Sequence, residues 1–190
     1  MILSRRFEEA LIYANKLHAK QHRKGNQVPY IAHLLAVAAI VLENGGNEDE
    51  AIAALMHDAV EDQGGVATRE EIRGRFGDKV TAIVDGCTDA DSNPKPPWKQ
   101  RKKAYLDKLP TAPPAVILVS AADKLHNART ILNDYRIIGE EVWSRFTGGK
   151  NDTLWYYRAV VNILKSIGGP PVIDELDRVV TELEELSKGA

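Results

Sequence analysis

Residues 115–132, AVILVSAADKLHNARTIL, decide the fold. Val116, Ile117, Leu118 and Val119 have the apolar, partly β-branched character of a buried strand, which would commit the chain to a sheet. The run does not stop there: it continues through alanines, leucines and a lysine with no turn residue, well beyond the length of an ordinary strand, so it reads as a helix. Outward from it the same periodicity recurs. Phe7, Ala10, Leu11, Ala14 and Leu17 mark one stripe of a helix over 7–19, and residues 31–42 are apolar nearly all round, as a central buried helix would be. Asn44, Gly45 and Gly46 stop that helix, and another follows over 49–60. Shorter helices are expected over 70–76 and 79–84, broken at Gly77, then over 98–109, 154–167 and, after Gly168 to Pro171, over 172–186. The basic segment 20–30 reads as a loop closing on Pro29, and 88–97, TDADSNPKPP, as a surface loop. No useful alternating strand pattern and no repeat appears. The expected fold is an all-α bundle of about seven to nine helices forming a single domain over 1–190. Residues 168–190 end it as an amphipathic helix packed on the bundle or on another subunit, and the oligomeric state stays open.

Composition narrows the function. The chain has 190 residues, 44% hydrophobic and 27% charged, which suits one ordinary core. A chain of this length buries roughly 70% of its unfolded surface, so it needs no structural metal or disulfide, and a metal inferred from its residues has a chemical task. With 25 Lys and Arg against 27 Asp and Glu the net charge is -2, which excludes a broad footprint for duplex nucleic acid or an anionic membrane. The lone Cys87 cannot form an intramolecular disulfide, no secretory leader is recognisable, and no apolar run approaches the roughly 20 residues of a spanning helix. A cytoplasmic location is expected.

The chemistry concentrates in AALMHDAVEDQGG, residues 53–65. His57 and Glu61 are four apart, as are Asp58 and Asp62, so the pairs are expected on adjacent turns at the end of a buried helix. Three carboxylates that close repel one another, so they face water or share a cation. His33, at the start of the central helix, and Asp123, inside an apolar helix, join His57 and Asp58 to supply two imidazoles and two carboxylates. Nitrogen and oxygen donors without thiolate suit a divalent first-row cation such as Mn²⁺, Fe²⁺ or Zn²⁺ better than Ca²⁺. Such an ion with open positions performs phosphoester hydrolysis, with Glu61 and Asp62 placed to orient the attacking water and accept its proton.

The pattern His33, His57-Asp58, Asp123 resembles the H...HD...D signature of the HD metal-dependent phosphohydrolases. HRKGNQVPYIAH (22–33), HDAVED (57–62), FGDKVTAIVDGCT (76–88), WKQRKKAYLDKL (98–109) and AADKLHNART (121–130) appear in the order seen in the hydrolase domain of RelA/SpoT-type alarmone enzymes. At this length the chain resembles a stand-alone small alarmone hydrolase. The resemblance implies one Mn²⁺ per chain held by His33, His57, Asp58 and Asp123, with Glu61 and Asp62 as the catalytic pair. It implies removal of the 3′-pyrophosphate of ppGpp or pppGpp to give GDP or GTP. Arg23 and Lys24 match the basic pair that binds the nucleotide by stacking and phosphate contacts, and Asn127 and Thr130 match substrate-side polar positions. The same chemistry on adenosine counterparts such as pppApp, or on the 2′-phosphate of NADPH, is the nearer alternative. A non-catalytic alarmone sensor is the alternative of another class. Arg101, Lys102, Lys103 and Lys150 are candidate phosphate contacts, and Trp155, Tyr156 and Tyr157 a candidate wall of the base pocket. His18, His22 and His126 show no partner pattern.

Overall fold

The computed structural model describes residues 2–89 and 94–189, and within these the chain is helical throughout, with no strand. The helices are α1 (Arg5–Leu17), α2 (Ile31–Glu43), α3 (Glu48–Met56), a single turn α4 (Ala59–Asp62), α5 (Val66–Phe76), α6 (Asp78–Cys87), α7 (Trp98–Lys108), α8 (Pro114–Ile138), α9 (Gly149–Ser166) and α10 (Val172–Lys188). Nine of the ten are multi-turn helices, matching the expected bundle; part of the surface loop 88–97, residues 90–93, lies outside the described residues. No helix among the described residues is long and apolar enough to cross a membrane.

Local chemistry sets the boundaries. The Ser4 side chain accepts from the Arg6 amide at 3.2 Å and starts α1 two residues before the first apolar position of its stripe. Asn47 and Glu50 form a reciprocal capping box at α3, with bonds of 2.7 and 3.2 Å. Proline pre-sets the first turn of α8, and Gly139, at φ 58°, ends it in a conformation that L side chains avoid.

The stretch that could have been a strand is the first turn of this 25-residue α8, which runs through the middle of the molecule. Val119, Ala121, Ala122, Leu125 and Ala128 are fully buried along it, against α2, α3, α6, α9 and α10. Apolar burial on this scale, at ~25 cal/mol per Å², is what offsets the ordering of the chain. Small residues bring the helices close: a Cβ built on Gly86 of α6 would meet a Val116 methyl of α8 at 2.5 Å. The terminal seam Val172, Ile173, Leu176, Val180 and Leu183 of α10 is buried against α8 and α9 of its own chain.

Two expected helices begin earlier, α5 at Val66 rather than 70 and α9 at Gly149 rather than 154, and one is interrupted. The helix read over 49–60 stops at Met56, and α4 restarts at Ala59. The His57 ring explains the break, because its Nδ1 lies 2.8 Å from the Ala54 carbonyl, the acceptor a continuing helix would offer to the Asp58 amide. His57 and Asp58 therefore sit in the junction between two helices and Glu61 and Asp62 in the single turn α4 beyond it, rather than all four at the end of one continuous helix.

Candidate functional site

Donor atoms come together from three elements: His33, His57 and Asp58 lie within 4.8 Å of one another, and Asp123 stands beside both imidazoles. His33 comes from the first turn of α2, His57 and Asp58 from the α3–α4 junction, and Asp123 from the middle of α8. His33 Nε2 is 3.3 Å from His57 Nε2, 3.6 Å from Asp58 Oδ2 and 3.2 Å from Asp123 Oδ1. His57 Nε2 is 3.1 Å from Asp58 Oδ2 and 3.5 Å from Asp123 Oδ1. Neighbouring ligands about 2.1 Å from one ion stand ~3–3.5 Å apart, so this spacing fits a cation at the centre. Both imidazoles present Nε2 because Nδ1 is engaged elsewhere, on the Ala54 carbonyl for His57 and on His126 Nδ1, at 2.8 Å, for His33. The donor set and its geometry thus fit a divalent metal.

Electrostatics agree. Burial, the largest single influence, pulls the pKa of His57 down, yet the charges and hydrogen bonds of Asp58 and Asp123 outweigh it and hold it well above the ordinary range. Burial also works against the charged forms of Asp58 and Asp123, but neighbouring cationic and imidazole groups keep both well below the usual carboxylate range. Two ionised carboxylates beside these imidazoles thus make a place where positive charge is favoured.

The quartet lies at a cavity of about 380 Å³, in the range of small-ligand sites. Glu61 and Asp62 line it from α4. Gln21 donates to Asp62 Oδ2 at 2.8 Å, while its own carbonyl oxygen accepts from Gln63 at 2.5 Å and meets His18 Nδ1 at 2.6 Å. This fixes which way the Gln21 amide points. Burial, then the Asp58 charge, raises the Asp62 carboxyl above its ordinary pKa and makes it a stronger base. Glu61 pairs with Lys95 at 2.9 Å and lies 3.7 Å from Arg101.

On the other side Asn127 donates to Asp123 Oδ1 at 2.5 Å and accepts from Arg23, whose guanidinium lies 5.5 Å from the Tyr30 ring centroid. Thr130 lines the same wall with its hydroxyl on the His126 carbonyl, and Lys24 sits exposed on the rim. Tyr156 and Tyr157 are buried in the cavity wall, whereas Trp155 is outside it, over the α9–α10 surface. Arg101 and Lys102 reach Asp89 beside the cavity, while Lys103 is exposed. Lys150 holds Glu140 and the Ser187 carbonyl instead. Cys87 is a wall residue, its thiol pushed up to about 11 by burial.

Several participants have no sequence signature. The Tyr30 hydroxyl donates to Asp58 Oδ2 at 2.5 Å while its ring stacks on His18 at 5.1 Å. His126 supports His33, and Lys124 donates to Asp123 Oδ2. Position gives one clue: Tyr30 lies three residues before His33, and Lys124 directly follows Asp123.

Residues 10–148 match the sequence model of the HD domain. The chain is 40% identical over 139 residues to the guanosine-3′,5′-bis(diphosphate) 3′-pyrophosphohydrolase MESH1 of Xenopus tropicalis, covering 72% of this chain and 73% of that protein. It is 36% identical over 126 residues to the human protein of the same name, covering 65% and 68%. A solved structure described as a metazoan ortholog of SpoT that hydrolyzes ppGpp superposes with a TM-score of 0.78 at 26% identity, over 96% of this chain and 97% of that one. A crystal structure from Listeria monocytogenes superposes with a TM-score of 0.70 at 31% identity, over 80% and 97%.

Proposed function

The chain belongs to the HD domain family, and from that premise we propose that it is a metal-dependent hydrolase that removes the 3′-pyrophosphate of guanosine 3′,5′-bis(diphosphate), yielding GDP and pyrophosphate, and GTP from the pentaphosphate. The convergence of four donor atoms at the end of a nucleotide-sized cavity, with a carboxylate pair beside it, carries this reading. Its MESH1 relatives bear the name of this reaction. Residues 1–190 act as one phosphohydrolase unit, which we place in the cytoplasm, where a lone buried thiol stays reduced.

His33, His57, Asp58 and Asp123 hold the ion, a divalent first-row cation by its mixed nitrogen and oxygen donors, and we favour Mn²⁺ because the resemblance to the alarmone hydrolases implies it. A divalent cation, when bound, supplies charge that lowers the pKa of water and polarises the phosphorus centre. Asp62, with one oxygen held by Gln21, takes the proton of the attacking water, and Glu61 orients that water. A bond forms from the water oxygen to the phosphorus next to the ribose, the bond to the 3′ oxygen breaks, and that oxygen takes up a proton as the nucleoside diphosphate leaves. Arg23, 5.5 Å from the Tyr30 ring centroid and bonded to Asn127, offers a guanidinium plane on which a purine stacks. Lys24 and Thr130 contact the same nucleotide.

Anion-exchange analysis of protein incubated with ppGpp and, separately, pppApp, each with Mn²⁺ and with EDTA, tests the reading. Pyrophosphate release from ppGpp that EDTA stops is expected, and it should be lost in His57→Ala and Asp58→Ala with the helical fold retained. Undiminished turnover in either variant, or no cleavage of ppGpp by wild type, overturns it.

A further inference from the structure

Beside the quartet, between α7, α8 and α9, the cavity has a corner that the steps above leave unused. Lys124, after donating to Asp123 Oδ2, lies 5.2 Å from the Tyr105 ring centroid. Lys102 lies 4.9 Å from the Tyr156 ring centroid and shares Asp89 Oδ2 with Arg101, at 2.8 and 2.5 Å. The two ammonium groups feel each other: burial, then the charge of Lys124, depresses the Lys102 pKa. Asp89 Oδ2 is shared by Arg101 and Lys102, Glu61 lies 3.7 Å from Arg101, and Asp123, the partner of Lys124, also serves the quartet, so neither ammonium has a carboxylate to itself.

The wall of the same cavity also contains unmet hydrogen-bonding capacity, on α9. Thr153 and Tyr156, 3% and 4% exposed, line the cavity, and neither hydroxyl has a partner among the described residues. Orphaned buried hydroxyls are costly and mark a missing partner. Beside two half-buried ammonium groups, that partner is an anion with several acceptor oxygens. Because Lys124 adjoins Asp123, the anion is one linked to the group at the quartet.

We propose that Lys102, Lys124 and the hydroxyls of Thr153 and Tyr156 form an anion seat that holds the terminal phosphate of the pyrophosphoryl group while the inner phosphorus reacts at the quartet. The inference rests on the pyrophosphohydrolase reading and adds to it a reason why a diphosphate is preferred over a monophosphate at the 3′ position. Asp123 then separates two ends of the substrate: its Oδ1 side faces Asn127 and Arg23 at the nucleoside, and its Oδ2 side faces Lys124 at the terminal phosphate.

The test compares the two products as inhibitors of ppGpp hydrolysis in excess Mn²⁺. Pyrophosphate occupies the seat, whereas GDP occupies the nucleoside end. Loss of one charged contact in Lys102→Met should weaken inhibition by pyrophosphate about ten- to hundredfold, and loss of one neutral contact in Tyr156→Phe about two- to tenfold. GDP inhibition should change less than about twofold in both. Tyr156→Phe removes only an unpartnered hydroxyl, so it folds even where Lys102→Met does not accumulate. Unchanged pyrophosphate inhibition refutes the seat and leaves the hydroxyls to buried water, and equal weakening of both products refutes it in favour of general distortion. Should wild type leave ppGpp intact, the reading of function fails. Equilibrium dialysis of labelled pyrophosphate against Mn²⁺-loaded wild type and Tyr156→Phe then still decides the seat, with equal retention refuting it.

Discussion

Replacing Asp123 by Asn keeps the shape of the side chain and removes its charge, and the structure gives this change two separable effects. One is the loss of an anionic ligand, so turnover should vanish. The other is a loss of stability that owes nothing to metal. The Asp123 and Lys124 side chains are 9% and 13% exposed, and the ammonium donates to the carboxylate. Breaking a buried pair by removing one partner costs about 3–5 kcal/mol, because the other charge is left in a poorly solvated place. Relief of the repulsion between Asp123 and Asp58 favours the lower end. With an unfolding entropy of roughly 2.1 cal/mol/K per residue, or about 0.4 kcal/mol/K for this chain, 3 kcal/mol is a fall of about 7 °C in Tm. Calorimetry in EDTA, where metal linkage is absent, measures it. Adding Lys124→Met should recover most of the loss, since no unpaired charge remains, and should restore no activity. An Asp123→Asn protein melting within about 2 °C of wild type, or a double variant no more stable than the single one, refutes the assignment of that stability to the pair.

Four further outcomes follow from the site and its frame. Tyr30→Phe removes the hydroxyl held on Asp58 and should raise the Mn²⁺ concentration for half-maximal activity about 10–100-fold, measured by metal titration of turnover. Gln21→Leu removes a donor that lowers the already raised Asp62 pKa. In the proposed role Asp62 acts ionised and activity falls as pH drops through its pKa, so the acid limb of the pH–rate profile should move to higher pH. Arg23→Ala should raise KM for ppGpp more than it lowers kcat, and Arg23→Lys should not restore it, because an ammonium offers no plane for stacking. Gly86→Ala, which pushes a methyl into Val116, should cost about 1–3 kcal/mol in urea denaturation with activity per folded molecule unchanged.

The quartet was legible in the sequence because its members contradict their surroundings: imidazoles and carboxylates stand inside helices otherwise built from Ala, Val, Ile and Leu. The helices themselves were legible from periodicity, and α8 from its length alone. What surrounds the quartet was not. Gln21, Tyr30 and His126 are ordinary polar residues in sequence, and each gains its role from a partner on another element, at separations of 41, 28 and 93 positions. No local pattern encodes such pairings. The break at His57 was missed for a related reason: helix propensity favours continuation, and a single ring-to-carbonyl bond opposes it. The RKK cluster divided for reasons of helix phase, with Arg101 and Lys102 turned to Asp89 and Lys103 left in solvent.

That break has a kinetic consequence. At that break His57 keeps helical φ and ψ of -58° and -28°, while Asp58 shifts to -99° and -4°. His57 Nε2 and Asp58 Oδ2 stand 3.1 Å apart, so in the proposed role the two donors joined by one peptide unit would hold an ion as a bidentate chelator. With one arm released, the other would keep the ion within reach at high effective concentration, so that recapture would outrun escape. Residence time at the site is therefore governed by the pair jointly, and a variant lacking either arm should exchange its ion far faster than the change in equilibrium affinity from His33 or Asp123 alone would imply.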